Sequence, residues 1–218
     1  MAGSVGLLLR KGIAQRYSRS IQDGLGLLVL IIGIGYALKA ENLAAIGISL
    51  ALGAVIGEWR NWENGLEKLG QSLERFSGRG DSQFVKGFVS ASLLFCVGAM
   101  AIVGALEDGL TGNHQILLIK SMLDGIFAMI FAASMGIGAI FSAIPVLLYQ
   151  GSISLLANLL KPLLTDPVIN DITALGGILI AGLGTNLLGI TRIRVANLLP
   201  AILLLPFLLF LLSFLPEY

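Results

Sequence analysis

Lys120 and Asp124 stand four residues apart in an otherwise apolar stretch, the spacing that places two side chains one above the other on a single helix face. Inside a membrane each of these charges is costly unless it is paired, and a lysine and an aspartate at this distance can neutralise one another. Two chemistries follow from that. The pair is either a fixed structural ion pair, or a cation or proton relay whose partners change during transport. Gly125 beside Asp124 lets another backbone come close, as expected of a helix face turned into the protein rather than towards lipid.

Three further groups of residues could do chemistry. Glu107, Asp108 and the only histidine, His114, fall in a stretch with Gly109, Gly112 and Asn113, which reads either as an acidic vestibule or as a solvated turn. One histidine with two carboxylates is too small a set to define a metal site, and no cofactor is expected. Gly33-Ile34-Gly35, Gly136-Ile137-Gly138 and Gly182-Leu183-Gly184 each lie within an apolar segment. Such glycines either let helices pack tightly, or break a helix near the membrane midplane so that freed amides and carbonyls bind an ion or an anionic substrate. In the second case Gln150, within Tyr149-Gln150-Gly151-Ser152, and Asn186 would supply polar side chains. Pro145, Pro200 and Pro206 are expected to kink the helices that hold them.

Composition sets what must position these residues. Of 218 residues 56% are hydrophobic and 12% charged, and the mean hydropathy is +0.90. A soluble domain carries about twice that charge fraction. Long unbroken apolar runs, rather than short alternating segments, indicate an all-α polytopic membrane protein of about seven or eight transmembrane helices and exclude a β-barrel. The expected spans are 2–9 in part, 21–38, 43–57, 84–106, 117–139, 141–160, 168–190 and 195–215, all within a single integral membrane domain. A net charge of +1, with no basic run interleaved with aromatics, gives no sign of nucleic-acid binding. A lone cysteine, Cys96, excludes an internal disulfide framework. Neither HExxH, GxSxG, a Walker A loop nor GxGxxG after a strand occurs, so catalysis is not expected.

Residues 58–83 are the one sizeable polar segment. Trp59, Trp62, Leu66, Leu69, Leu73 and Phe76 recur at helical spacing with charges on the other faces, so a cytoplasmic amphipathic helix is expected, followed by a loop at 77–82. Its apolar stripe would lie either in the headgroup layer or against the protein's own cytoplasmic face. Arg10, Lys11, Arg16 and Arg19, then Arg60, Lys68, Arg75 and Arg79, then Arg192 and Arg194 fall in alternate connections, which are therefore cytoplasmic. The intervening stretches 39–42, 107–116 and 161–167 hold only Lys39 and Lys161 as basic residues.

Residues 3–57 recur weakly at 151–212. Gly3-Ser4-Val5-Gly6-Leu7-Leu8 aligns with Gly151-Ser152-Ile153-Ser154-Leu155-Leu156, Ile21-Gln22-Asp23 with Ile169-Asn170-Asp171, Gly33 with Gly182, and Lys39-Ala40-Glu41-Asn42-Leu43 with Arg194-Val195-Ala196-Asn197-Leu198. On the charge count the copies have opposite orientation. Spans 1–3 and 6–8 would then form an inverted repeat, the layout of many secondary transporters.

The stretch from Ala91 to Leu110 resembles the YqgA/YdfK family of bacterial membrane proteins, a domain-of-unknown-function family numbered 554. So do Ile140 to Ser152, Asn197-Leu198-Leu199-Pro200-Ala201 and the region from Lys39 to Glu58. The resemblance implies membrane transport, with no assigned substrate or catalytic residues to carry over. Family members usually begin with a longer first helix than the nine residues that precede Arg10 here. The expected function is a transporter or channel for a small solute or ion in the bacterial inner membrane, with the lipid bilayer as the partner that composition implies. Small-residue faces would also allow a homodimer. The alternative is a scaffold or partner subunit that transports nothing.

Overall fold

Backbone polar groups in a bilayer find no water to bond, so an apolar chain of this kind satisfies them within helices. A computed structural model describes residues 3, 4, 6, 15–77 and 83–212, and among these every regular element is a helix. They are α1 (Gln15–Ala37), α2 (Leu43–Arg60), α3 (Trp62–Ser77), α4 (Phe84–Cys96), α5 (Ala99–Thr111), α6 (Gln115–Met135), the short α7 (Gly138–Phe141), α8 (Ala143–Leu155), the short α9 (Ala157–Leu160), α10 (Asp166–Leu187), a 3-10 turn (Val195–Leu198) and α11 (Pro200–Leu212). Among the described residues six stretches are long and apolar enough to span a membrane, and α4 with α5 makes a seventh bent by 61°. The protein is thus an all-α polytopic membrane protein. The expected first span at 2–9 lies mostly outside the described residues.

Alternation of these spans puts 38–42, 112–114 and 156–165 at one end of the bundle and 61–77, 136–137 and 188–194 at the other. That is the grouping expected from the basic residues.

The long helices α1 and α10 pack along their lengths, and glycine sets how close they come. A Cβ on Gly33 would lie 2.4 Å from the Ala181 amide nitrogen, and one on Gly177 would lie 2.5 Å from that of Ala37. Gly184 presses on Leu30 and Gly26 on Leu188 in the same way. As residue numbers rise along α1 they fall along α10, so the two run antiparallel. The faces use the same internal spacing: Gly26, Leu30, Gly33 and Ala37 on one side, Gly177, Ala181, Gly184 and Leu188 on the other. The helices α2 and α11 repeat the arrangement. Gly53 meets Ala201, and a Cβ on Gly57 would lie 1.8 Å from the Asn197 carbonyl oxygen.

Both ends of this four-helix group are tied by side chains that satisfy backbone amides. The carboxylate of Asp171, 1% exposed, accepts from the amides of Glu41 at 2.7 Å and Asn42 at 3.0 Å. Asn42 in turn caps α2 by accepting from the Ala45 amide at 2.9 Å. At the other end Asn197 Oδ1 accepts from the Glu63 amide at 2.7 Å while Glu63 Oε2 accepts from the Ala196 amide at 3.0 Å. Burial pushes the Glu63 carboxyl above the usual carboxylate range, and the Ala196 amide pulls it back down.

The expected amphipathic helix is α3, set off from α2 by Asn61 in the left-handed region (φ 52°). It begins at Trp62 and leaves Trp59, the first residue of the expected stripe, at the end of α2 and 82% exposed; α3 rests on α4 through Gly70, which meets Val85, and its Leu69 faces outward. The side chains of Leu66 and Phe76 and residues 78–82 lie outside the described residues. Two details of the sequence reading change. Pro145 and Pro200 sit in the first turns of α8 and α11, where a missing N–H costs nothing, and only Pro206 lies inside a helix. Gly136 (φ 85°) ends α6 and turns the chain into α7, so Gly136-Ile137-Gly138 joins two spans instead of interrupting one.

The seam makes a sharp prediction. Gly33→Leu should cost about 3 kcal/mol or more because backbone occupies the space. Gly35→Ala, with no atom within 4 Å of its Cβ position, should be neutral or stabilise by up to about 1 kcal/mol. Thermal unfolding in detergent, followed by circular dichroism, checks both; equal behaviour of the two variants would refute the seam.

Candidate functional site

The second group of helices, α4 to α8, holds the charges. On α6, Lys120 lies just over one turn from the N-terminus and Asp124 one turn deeper, and the Lys120 ammonium donates directly to Asp124 Oδ2. The lysine side chain is 8% exposed and the aspartate 26%. Outer faces of the same helix carry Leu118, Ile119, Met122 and Ile126, so α6 presents these hydrophobes to lipid and its charges inward.

Opposite the pair, the α4–α5 span breaks. Cys96 ends α4, and Gly98 takes φ 119° and ψ 149°, a backbone conformation open to glycine alone. Val97 fills the notch left by Gly176 on α10, and the Tyr36 ring of α1 covers Gly98. The first amides of α5 therefore emerge in the middle of the span without acceptors from a preceding helical turn. The sequence offers the Gly-x-Gly runs either as packing glycines or as such a break, and Gly33 and Gly184 are packing glycines. The structure puts the break at Gly98, and α1 and α10 continue unbroken through Gly33, Gly35, Gly182 and Gly184.

Cavities flank the pair on both sides. One of about 360 Å³ is bordered by Lys120, Ser121, Asp124, Ser142, Gln150 and Gly3. The other, of about 90 Å³, is bordered by Lys120, Asp124, Tyr36 and the break residues Val97, Gly98 and Met100. Gln150 Nε2 is buried with no hydrogen-bond partner, one of the few such side-chain atoms among the described residues. A third cavity, about 200 Å³ and mainly apolar, lies on the far side of the break between Cys96, Tyr149 and α11.

The structure thus joins Lys120, Asp124 and Gln150. It does not bring Asn186 to them. Asn186 accepts from the Ile193 amide and the Thr191 hydroxyl, both at 2.8 Å, and donates to the Ile193 carbonyl at 2.7 Å, so it folds the loop after α10. Gly182 and Gly184 lie on α10 near that loop and the α1 seam, and Gly136 and Gly138 lie at the α6–α7 turn, where Gly138 presses on Phe84. The vestibule residues are engaged with neighbours: Glu107 accepts from Asn113 at 2.6 Å, and Asp108 bonds His114 and the Ser154 hydroxyl. No group of three metal-ligating side chains occurs among the described residues. Tyr36, Val97 and Gly98 were not singled out from sequence; a glycine in the middle of a long apolar span was the available signal.

These features define a polytopic helical membrane protein with a charged pair set between two cavities at a broken span. A family model described as "Protein of unknown function (DUF554)" matches residues 1–210, and the chain belongs to that family. It is 37% identical over 209 residues to "Uncharacterized protein YqgA" of Escherichia coli (strain K12), covering 94% of this chain and 89% of that protein. It is 34% identical over 215 residues to "Uncharacterized membrane protein YdfK" of Bacillus subtilis (strain 168), covering 96% and 91%. No solved structure matches.

Removing one member of the pair leaves a buried charge uncompensated. Lys120→Met or Asp124→Leu alone should each destabilise by about 3–5 kcal/mol, and the double variant should regain most of that loss. A double-mutant cycle on melting midpoints measures it; additive losses would mean that the pair is solvated.

Proposed function

We propose that this protein is a secondary transporter or channel for a small solute or ion in the bacterial cytoplasmic membrane, with Lys120 and Asp124 as its coupling pair. The observation that carries the reading is the position of the pair: one ion pair borders two separate cavities at a discontinuous span. Broken helices beside ionisable groups are where secondary transporters hold substrates and coupling ions. Catalysis forms no part of the proposal.

The antiparallel packing of α1 on α10 and of α2 on α11 supports descent from an inverted repeat of spans 1–3 and 6–8. The contact faces suggest a register two residues away from the sequence alignment, with Gly33 corresponding to Gly184 rather than to Gly182. In this scheme the repeat bundle rocks against α4–α8, opening one cavity and then the other. A homodimer through outward small-residue faces is compatible with it.

A second reading, a scaffold that transports nothing, draws on Trp59 and Leu69, which face outward beside the bundle. Charges placed at these two positions should impair a scaffold and leave flux through a transporter nearly unchanged.

The test is a melting screen of purified protein against inorganic ions and small metabolites. A ligand at about one hundred times its dissociation constant should stabilise the fold by about 2.7 kcal/mol. The shift should vanish in the Lys120→Met/Asp124→Leu double variant. In proteoliposomes, Asp124→Asn should insert and lose ion- or proton-driven uptake of that ligand. Normal driven uptake in this variant would overturn the role of Asp124, and no shift across a broad panel would favour the scaffold.

A further inference from the structure

Building on the transport reading, we infer that the cargo is a small monovalent anion carried with one proton, the anion held by Lys120 and the proton by Asp124. Charge balance drives the argument. The pair is neutral as it stands, and an occupant that breaks it must leave no uncompensated charge behind in a water-poor site. An anion on Lys120 meets that condition when Asp124 takes up a proton from the medium: the lysine stays an ammonium ion throughout, and the site is neutral both empty and loaded.

The geometry favours this over its mirror image. A bare cation would have to displace Lys120 from Asp124, yet Lys120 is the more deeply packed member, with 8% of its side chain exposed against 26% for Asp124. The accessible partner is the one that can be protonated and turned aside. Donors also stand unused beside the cavity. The ammonium has three N–H groups and Asp124 Oδ2 takes one, and Gln150 Nε2 is buried and unpaired. Across the pair, the positive end of the thirteen-residue α5 helix opens beside Gly98. The hydroxyls of Ser121 and Ser142 donate to the Leu118 and Ala139 carbonyls of their own chain segments, at 2.8 and 2.6 Å. The larger cavity, about 360 Å³, has room for a short carboxylate.

Coupling then needs no moving gate at the charges. With Asp124 ionised, an anion on Lys120 leaves the site with an unbalanced negative charge; with Asp124 protonated and no anion bound, Lys120 has no counter-charge. Each half-loaded state is disfavoured, which suppresses leak of either species. Among the described residues the other titratable groups that face the pair are Tyr36 from α1 and Cys96 from α4, with Tyr149 of α8 facing Cys96.

The experiment measures melting midpoints of the full chain in detergent with sodium formate, sodium acetate or sodium nitrate, with potassium sulfate in place of the sodium salt, and with glycine, each at pH 5.5 and 7.5. A monovalent anion should stabilise the wild type, with affinity rising about tenfold for each unit the pH falls while Asp124 is ionised, because one proton is taken up per anion. Lys120→Gln should lose the response. Asp124→Asn, which leaves Lys120 without its counter-charge, should be rescued by the same anion with no dependence on pH. Stabilisation by potassium or glycine but not by anions overturns the inference and leaves the transport reading standing. An anion response independent of pH in the wild type overturns the proton, and no response to any of the three classes counts against both readings.

Discussion

A charge inside a bilayer has to be balanced where it sits, and the arrangement of α4 to α8 follows from that constraint. Lys120 and Asp124 balance one another within a single helix turn, so α6 can cross the membrane with both ionised. Because the pair is self-contained, the surrounding helices need supply no countercharge. They are free to leave space, and they do: the pair borders a cavity on either side. A site of this kind is stable as an ion pair and also ready for exchange, since any ligand that offers one half of it a better partner competes only with the other half.

The same economy governs the rest of the bundle. Helices in lipid gain nothing from burying apolar surface against each other, and must be held by close backbone contact and by polar groups that find partners. Glycine supplies the first along both antiparallel pairs. Asp171, Asn42, Asn197 and Glu63 supply the second at the two ends, each answering amides that a turn or helix start leaves open. The Asn42 and Asn197 positions, aligned in the sequence repeat, both accept backbone amides at the starts of helices, although those helices do not correspond.

Much of this was legible in the sequence, for reasons that can be stated. Span number and grouping follow from hydropathy and from the placement of basic residues, both one-dimensional properties. The Lys120–Asp124 contact is local to one helix, so spacing alone foretold it. Gln150 reached the same cavity because it is one of the few polar side chains in its span. What spacing could not reveal is which glycine breaks a helix. Gly33, Gly35, Gly98, Gly182 and Gly184 look alike in sequence, but only at Gly98 does the chain adopt a positive φ. That choice depends on Val97 and Tyr36 being seated by α10 and α1, a contact between distant parts of the chain. Asn186 misled for the related reason that a polar side chain in an apolar run is as readily consumed by its own loop as offered to a ligand.

The break is also where the two halves of the protein meet. The α1–α10 seam is locked by backbone contacts at Gly33, Gly177 and Gly184 and has little freedom to slide, whereas the α4–α8 group contains the cavities and the discontinuity. They meet along α1 and α6, where Gln22 donates to the Ser134 carbonyl at 3.2 Å, and at the break, where Gly176 receives Val97 and Tyr36 covers Gly98. A small rotation of the seam would therefore reach Val97 and Gly98 as well as α6. These two residues border the smaller cavity together with Lys120 and Asp124. The positive φ at Gly98 needs no side-chain strain to maintain it, so the bend can change there at low cost while α4 and α5 stay helical. Under the proposed transport function, a closely packed seam resting on a glycine joint beside a self-neutralising charge pair would let movement of one half change which cavity the pair faces.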